Sequence, residues 1–229
     1  VARVQSLIVK LVLGILTVFA VVTLLNWDPA LLDPAGYPGV QEIISSVALT
    51  FFAFLGFGVI TFTAKDLADP SRELPRAMYL ALAIATTVYV AVSLGVFGTL
   101  TADQVVAYGP TALAEAAKPV LGQFGYVLMV VTALFSTAGA TNSGLYPSTG
   151  MTQHLASVGQ FPPLIGRTVG RRNAPVGLLG LSGLTIVFLL LLDLNKIASL
   201  GSAVALVVFT MVTLAHLRLR GTTEIGRAH

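Results

Sequence analysis

Long apolar stretches without a single charge constrain this chain more than any other feature. No Asp, Glu, Lys or Arg occurs between Ile43 and Ala64, or between Pro119 and Gly166. An apolar block of about 18 residues or more is long enough to cross a lipid bilayer as a helix. Of the 229 residues, 55% are hydrophobic and 10% are charged. A soluble domain carries roughly a quarter charged residues, so a water-exposed surface could not be covered here. The sequence predicts an all-α, polytopic transmembrane protein.

Six spans are predicted: Ser6 to Trp27, Ile43 to Ala64, Ala77 to Leu100, Phe124 to Thr152, Pro175 to Leu192 and Ile197 to Leu217. Turn formers separate the first two, with Asp28-Pro29, Asp33-Pro34, Gly36, Pro38 and Gly39. Pro75 suits the first turn of the third span, and Glu73 lies near its positive dipole end. The stretch from Thr101 to Gly122 carries Asp103, Glu115 and Lys118 and reads as one or two short surface helices. Asp193-Leu194-Asn195-Lys196 makes a tight loop.

Basic residues between spans report topology. With the start of the first span on the cytoplasmic side, that side holds Arg3, Lys10, Lys65, Arg72, Arg76, Arg167, Arg171, Arg172, Arg218 and Arg220. The other side holds Lys118 and Lys196. The ten-to-two distribution of these basic residues orients the chain in a cytoplasmic membrane, and the net charge of +3 does not point to nucleic acid. There is no Cys, which excludes disulfides and thiolate metal sites. No His spacing suits zinc; His154 and His216 fall at predicted cytoplasmic ends. No metal or cofactor is expected.

The chain opens on Val1 and runs at once into an apolar helix, so it is expected to be a portion of a longer protein. Residues Glu224-Ile225-Gly226-Arg227-Ala228-His229 match one reading frame of a widely used sequencing adapter. The expected division is one transmembrane domain over 1–223 and a read-through tail over 224–229.

The second span contains Thr50-Phe51-Phe52-Ala53-Phe54-Leu55-Gly56-Phe57-Gly58. Two glycines interrupt a bulky helix near mid-membrane. Either they let helices pack closely, or the helix breaks here and frees backbone groups, which membranes tolerate where they line a site. In the second case the carbonyl end of a half-helix would attract an ammonium group.

These residues, followed by Asp69-Pro70-Ser71-Arg72-Glu73-Leu74-Pro75-Arg76-Ala77, resemble the amino acid/polyamine/organocation permease superfamily. That family has a Phe-x-Gly-Phe-type break in its sixth span and an Asn-Pro-x-Arg-x-Leu-Pro-Arg-like loop after it. The likeness covers about Val1 to Thr223. It implies the LeuT-like fold of two inverted five-helix repeats, of which this chain would hold the fifth helix of the first repeat and all of the second. It implies a secondary transporter for amino acids or related amines, working by alternating access and coupled to a proton or a sodium ion. The substrate-binding set it implies is Phe52, Ala53, Phe54, Leu55 and Gly56, with carbonyls from Phe52, Ala53 and Leu55, the Phe52 ring as a lid and Gly56 permitting the break. From the fourth span it adds Ser136 and Ala140.

Two departures from the family stand out. Nothing ionisable stands at Gly58, where many relatives have a polar or acidic group. The Lys that replaces sodium in proton-coupled relatives has only Lys10 as its counterpart, two residues early, which is about 200° of helix rotation. Lys10 is either a coupling residue or a Lys snorkelling to the interface. Thr137 is the second coupling-ion candidate. Ser136, Gly139, Ala140 and Ser143 share a helix face, which is either a small-residue packing seam or a lining. Ser199, Gly201 and Ser202 open the sixth span, either as an outer gate or as a helix start. Gly14 reads as a packing site. A channel or non-transporting subunit is the alternative, and an intramembrane enzyme ranks below it: no His faces Asn142-Ser143-Gly144, and the spans hold no acid.

Overall fold

The computed structural model describes residues 2–33, 38–56, 67–169 and 174–219. Phe57, Gly58, Lys65, Asp66, Arg171, Arg172, Arg220 and the 224–229 tail lie outside the described residues. Seven α-helices are described: α1 (Ala2–Leu25), α2 (Val40–Thr50), α3 (Pro70–Phe97), α4 (Ala102–Tyr108), α5 (Ala112–Ser157), α6 (Val176–Leu191) and α7 (Leu194–Leu219). A two-residue antiparallel ladder pairs Thr168 with Pro175 and Val169 with Ala174. The architecture is that of an all-α, polytopic membrane protein. The stretches from Val4 to Leu25, Pro70 to Phe97, Ala102 to Ser157 and Leu194 to Arg218 are long and apolar enough to cross a membrane. The helix over 40–56 and α6 are shorter apolar helices. At 16 residues, α6 is about 24 Å long against a hydrocarbon core of about 30 Å.

Local chemistry sets the helix ends. The third helix starts at Pro70, seven residues before the expected Ala77. Asp69 stands at the N-cap and Pro70 at the first helical position, where a fixed φ helps and no N–H is missed. Pro75 therefore lies inside the helix and forgoes one backbone bond. Glu73 occupies the first turn, as expected. The expected surface helices resolve into α4 and the first part of α5. A capping box opens α4: Gln104 N donates to Thr101 Oγ1 (3.3 Å) and Thr101 N donates to Gln104 Oε1 (3.0 Å). Within α5, Gly122 has φ 63° and ψ −159°, a conformation open essentially to glycine, and the helix axis kinks there. The helix ends at a Schellman turn: Gln160 N donates to the Leu155 carbonyl (2.9 Å) and Gly159 N to that of Ala156 (3.3 Å).

The chain divides into two compact units. The first comprises 1–37 and 57–178, with α1, α3, α4 and α5. Its core gathers Phe19, Val96, Leu100, Ala114, Ala116, Ala117 and Met129. Three glycines there receive polar side chains. A β-carbon at Gly95 would overlap Thr23 Oγ1 and lie 3.2 Å from Thr23 Cβ. Thr23 is fully buried, and its hydroxyl donates to the carbonyls of Phe19 (2.8 Å) and Ala20 (3.2 Å). That bonding satisfies a hydroxyl that burial would otherwise penalise. A β-carbon at Gly177 would lie 2.8 Å from Thr152 Cβ, and one at Gly139 would lie 3.3 Å from Gln5 Nε2. The packing role expected for Gly14 finds no counterpart: a β-carbon there meets nothing within 4 Å among the described residues.

The second unit comprises 38–56 and 179–229. It holds α2 with its continuation, most of α6, and α7. Its apolar side chains stay exposed, with Leu190 at 80% and Leu191 at 73%, which suits hydrocarbon surroundings rather than water. Asp193 caps α7: Lys196 N donates to Asp193 Oδ1 (2.9 Å), and Lys196 Nζ lies 2.9 Å from Oδ2. These bonds hold the Asp193 carboxyl below its usual range.

Candidate functional site

In the second unit the α-helical winding of α2 stops at Thr50, and residues 51–56 continue as 3-10 helix. A switch to i→i+3 bonding narrows the helix and weakens its hydrogen bonds; it is frequent at helix C-termini, and in mid-helix it often marks a functional hinge. The switch falls on the segment singled out by sequence. Gly56 has no left-handed φ, and a β-carbon on it would meet nothing within 4 Å among the described residues. Among the described residues, Gly56 therefore leaves open space beside the backbone.

Two successive aromatics tie this segment to α7. The Phe51 ring meets the Phe209 ring edge-on, with centroids 6.3 Å apart at 89°. The Phe52 ring lies on Gly201, where a β-carbon would fall 2.6 Å from Cε2 and 2.9 Å from Cδ2. Phe52 and Leu55 line an apolar cavity of about 510 Å³ with Phe188, Gly201, Val204 and Val208. Ala53 and Gly56 are exposed and Phe54 is half-buried. Next to Gly201, Ser202 is 4% exposed, and its Oγ has no hydrogen-bond partner among the described residues.

In the first unit, a second cavity of about 480 Å³ lies between α1, α3 and α5. Ser136, Gly139, Ala140 and Ser143 share a face that borders it, and on that face Gly139 also packs against Gln5 and Ile8 of α1. Thr137 lies off that lining and donates its hydroxyl to the Ala133 carbonyl (2.8 Å). Lys10 is exposed and does not line the cavity; Ile8, Val9 and Val12 do. The α1 residue that supplies polarity is Gln5. Its Nε2 donates to the Gly139 carbonyl (3.2 Å), and its Oε1 accepts from Asn142 Nδ2 (3.4 Å). Sequence reasoning passed over Gln5. The available signal was an amide near the start of an apolar span, three and seven residues before Ile8 and Val12 on the same helix face. The 52–56 group and the Ser136–Ala140 group thus belong to different units, each with its own cavity.

The amino acid permease family matches residues 6–228. An uncharacterized protein of Methanocaldococcus jannaschii is 34% identical over 94% of this chain and 50% of its own length. The inner membrane transport protein YbaT of Escherichia coli is 29% identical over 96% of this chain and 51% of its own. The vacuolar cationic amino acid transporter 2 of Arabidopsis thaliana is 28% identical over 85% of this chain and 31% of its own. The chain spans about half the length of the first two of these relatives. The match takes in most of α1, all of α2 to α7 and the 51–56 segment, and the chain belongs to the amino acid permease family.

Proposed function

We propose that the protein to which this chain belongs is a secondary active transporter. It carries amino acids or related amines across the cytoplasmic membrane by alternating access, with the start of α1 on the cytoplasmic side. The observation that carries this reading is the loss of α-winding at Phe51, in the last six described residues of the apolar 40–56 helix of an amino acid permease. In this reading Phe52, Ala53 and Leu55 offer carbonyls to the substrate ammonium, Phe54 and Gly56 complete the segment, and Ser136 and Ala140 belong to the lining. The relatives named as transporters support the class of activity. The LeuT-like inverted-repeat arrangement is part of the same proposal.

Coupling to a proton is the preferred form, with sodium as its alternative. Lys10 and Thr137 are the proposed coupling residues. A Lys in a helix facing hydrocarbon is costly unless it reaches an interface or a polar partner, so Lys10 is the first to test. The full-length protein in liposomes, loaded to impose an inward proton or sodium gradient, should accumulate a radiolabelled amino acid under one gradient and not the other. Equal uptake without any gradient would replace coupling by exchange. Absence of uptake for every amino acid and amine would favour a channel or non-transporting subunit.

A further inference from the structure

We propose that Gly201 of α7 is a positioning residue: it is the seat that holds the Phe52 ring, and through that ring it sets the affinity for substrate. This rests on the transport reading above and deepens it. The three atoms nearest a β-carbon at Gly201 all belong to the Phe52 ring, at 2.6, 2.9 and 3.8 Å. One added methyl therefore collides with the ring before it touches anything else. The ring has room to yield, since Phe52 is 38% exposed. The backbone of α7 need not move.

The neighbouring contact explains why the ring is held and not merely adjacent. Phe51 engages Phe209, eight residues beyond Gly201 on α7, or about 12 Å along the helix axis. Two consecutive side chains thus grip α7 at two levels. The Phe51–Phe209 pair anchors the start of the 3-10 segment, and the second ring rests in a notch with no hydrogen bond to keep it there. Any motion of α7 relative to the segment must then be taken up at the Gly201 notch. A ring seated by shape alone is easily displaced and easily returned, as a gate against substrate requires.

The test uses the full-length protein in liposomes, as wild type, Gly201→Ala, Phe52→Ala and the double variant. Uptake of the twenty radiolabelled protein amino acids identifies the one carried best, and initial rates then give its KM and maximal rate. Gly201→Ala is expected to raise KM about fivefold or more and leave the maximal rate within about twofold, because an overpacked ring shifts rather than unfolds. In the Phe52→Ala background the same change should leave KM unaltered. An unchanged KM in Gly201→Ala, with wild-type uptake intact, overturns the seat and leaves the transport reading standing. Wild-type protein that takes up none of the twenty, and none of the amines derived from them, overturns the transport reading and the positioning role with it. Thermal unfolding of the four proteins reads the contact without substrate. Gly201→Ala should lower Tm when Phe52 is present and leave it unchanged in the Phe52→Ala background; equal shifts in both backgrounds overturn the seat.

Discussion

Three glycines of the first unit and one of the second receive different guests, beside Gly98, Gly125 and Gly166 of the first unit, which meet Trp27, Leu121 and Ala156. In the first, Gly95, Gly139 and Gly177 face Thr23, Gln5 and Thr152. In the second, Gly201 faces the Phe52 ring. The polar guests are tethered as well as packed: Thr23 donates to two carbonyls of its own helix and Gln5 donates across to Gly139. A tethered side chain cannot swing aside when the notch is filled, so such a contact fixes one helix against another. The Phe52 ring has only shape to hold it. The same small-residue device, common in membrane helices because it lets backbones approach, serves rigidity in one unit and release in the other.

Filling the notches should separate the two kinds. The largest effect is expected for Gly95→Val. Its β-carbon would overlap a fully buried Thr23, and overpacking a dense site costs about 1–3 kcal/mol or more. Detergent-solubilised protein should show a marked fall in Tm, largely restored by Thr23→Ala. Gly177→Ala comes next, since Thr152 Cβ would stand 2.8 Å from the new carbon and Ile165 Cγ2 3.1 Å. Thermal unfolding should show a loss of about 1–2 kcal/mol. If either variant proves neutral, the first unit yields as readily as the second, and the contrast fails.

Gln5→Leu removes the α1–α5 hydrogen bond and keeps the volume. Side-chain hydrogen bonds between membrane helices average about 0.6 kcal/mol, so a small drop in stability is expected by the same assay. A larger loss would give Gln5 a structural weight beyond its bonds with Gly139 and Asn142. The smallest effect concerns the start of α7. The Asp193 carboxyl is held below its ordinary value of 3.8 by Lys196. A lowered folded-state pKa means that its contribution is present above 3.8 and is lost as pH falls through the folded value. Wild type should therefore lose slightly more stability than Asp193→Asn between about pH 5 and pH 3, read by Tm. Parallel curves would contradict the cap.

Much of this was legible in the sequence because charge is so scarce. The apolar blocks gave the helices, whereas the kink at Gly122 was not foreseen and the loop expected over 193–196 is largely the first turn of α7, which starts at Leu194. The face of Ser136, Gly139, Ala140 and Ser143 followed from helical spacing alone. The start of α3 differs from the expected one because two prolines suit a first helical turn there, and Pro70 rather than Pro75 takes that position. What could not be read were pairings between distant residues. Nothing in the composition joins Gln5 to Gly139 across 134 positions, or Phe52 to Gly201. Such contacts depend on how helices cross, and hydrophobic periodicity does not encode that. The α-to-3-10 switch lay between these cases: the glycines marked the region, and the structure put the change at Phe51, ahead of Gly56.

The central claim is that the rewound 51–56 segment is the working part of the site. Gly56→Val in the full-length protein tests it most directly, because the added side chain meets no packed neighbour among the described residues and the variant should fold. Radiolabelled amino acid uptake into liposomes should be lost, while Tm and the yield of inserted protein match wild type. Uptake at the wild-type rate would contradict the account and move the site away from this segment.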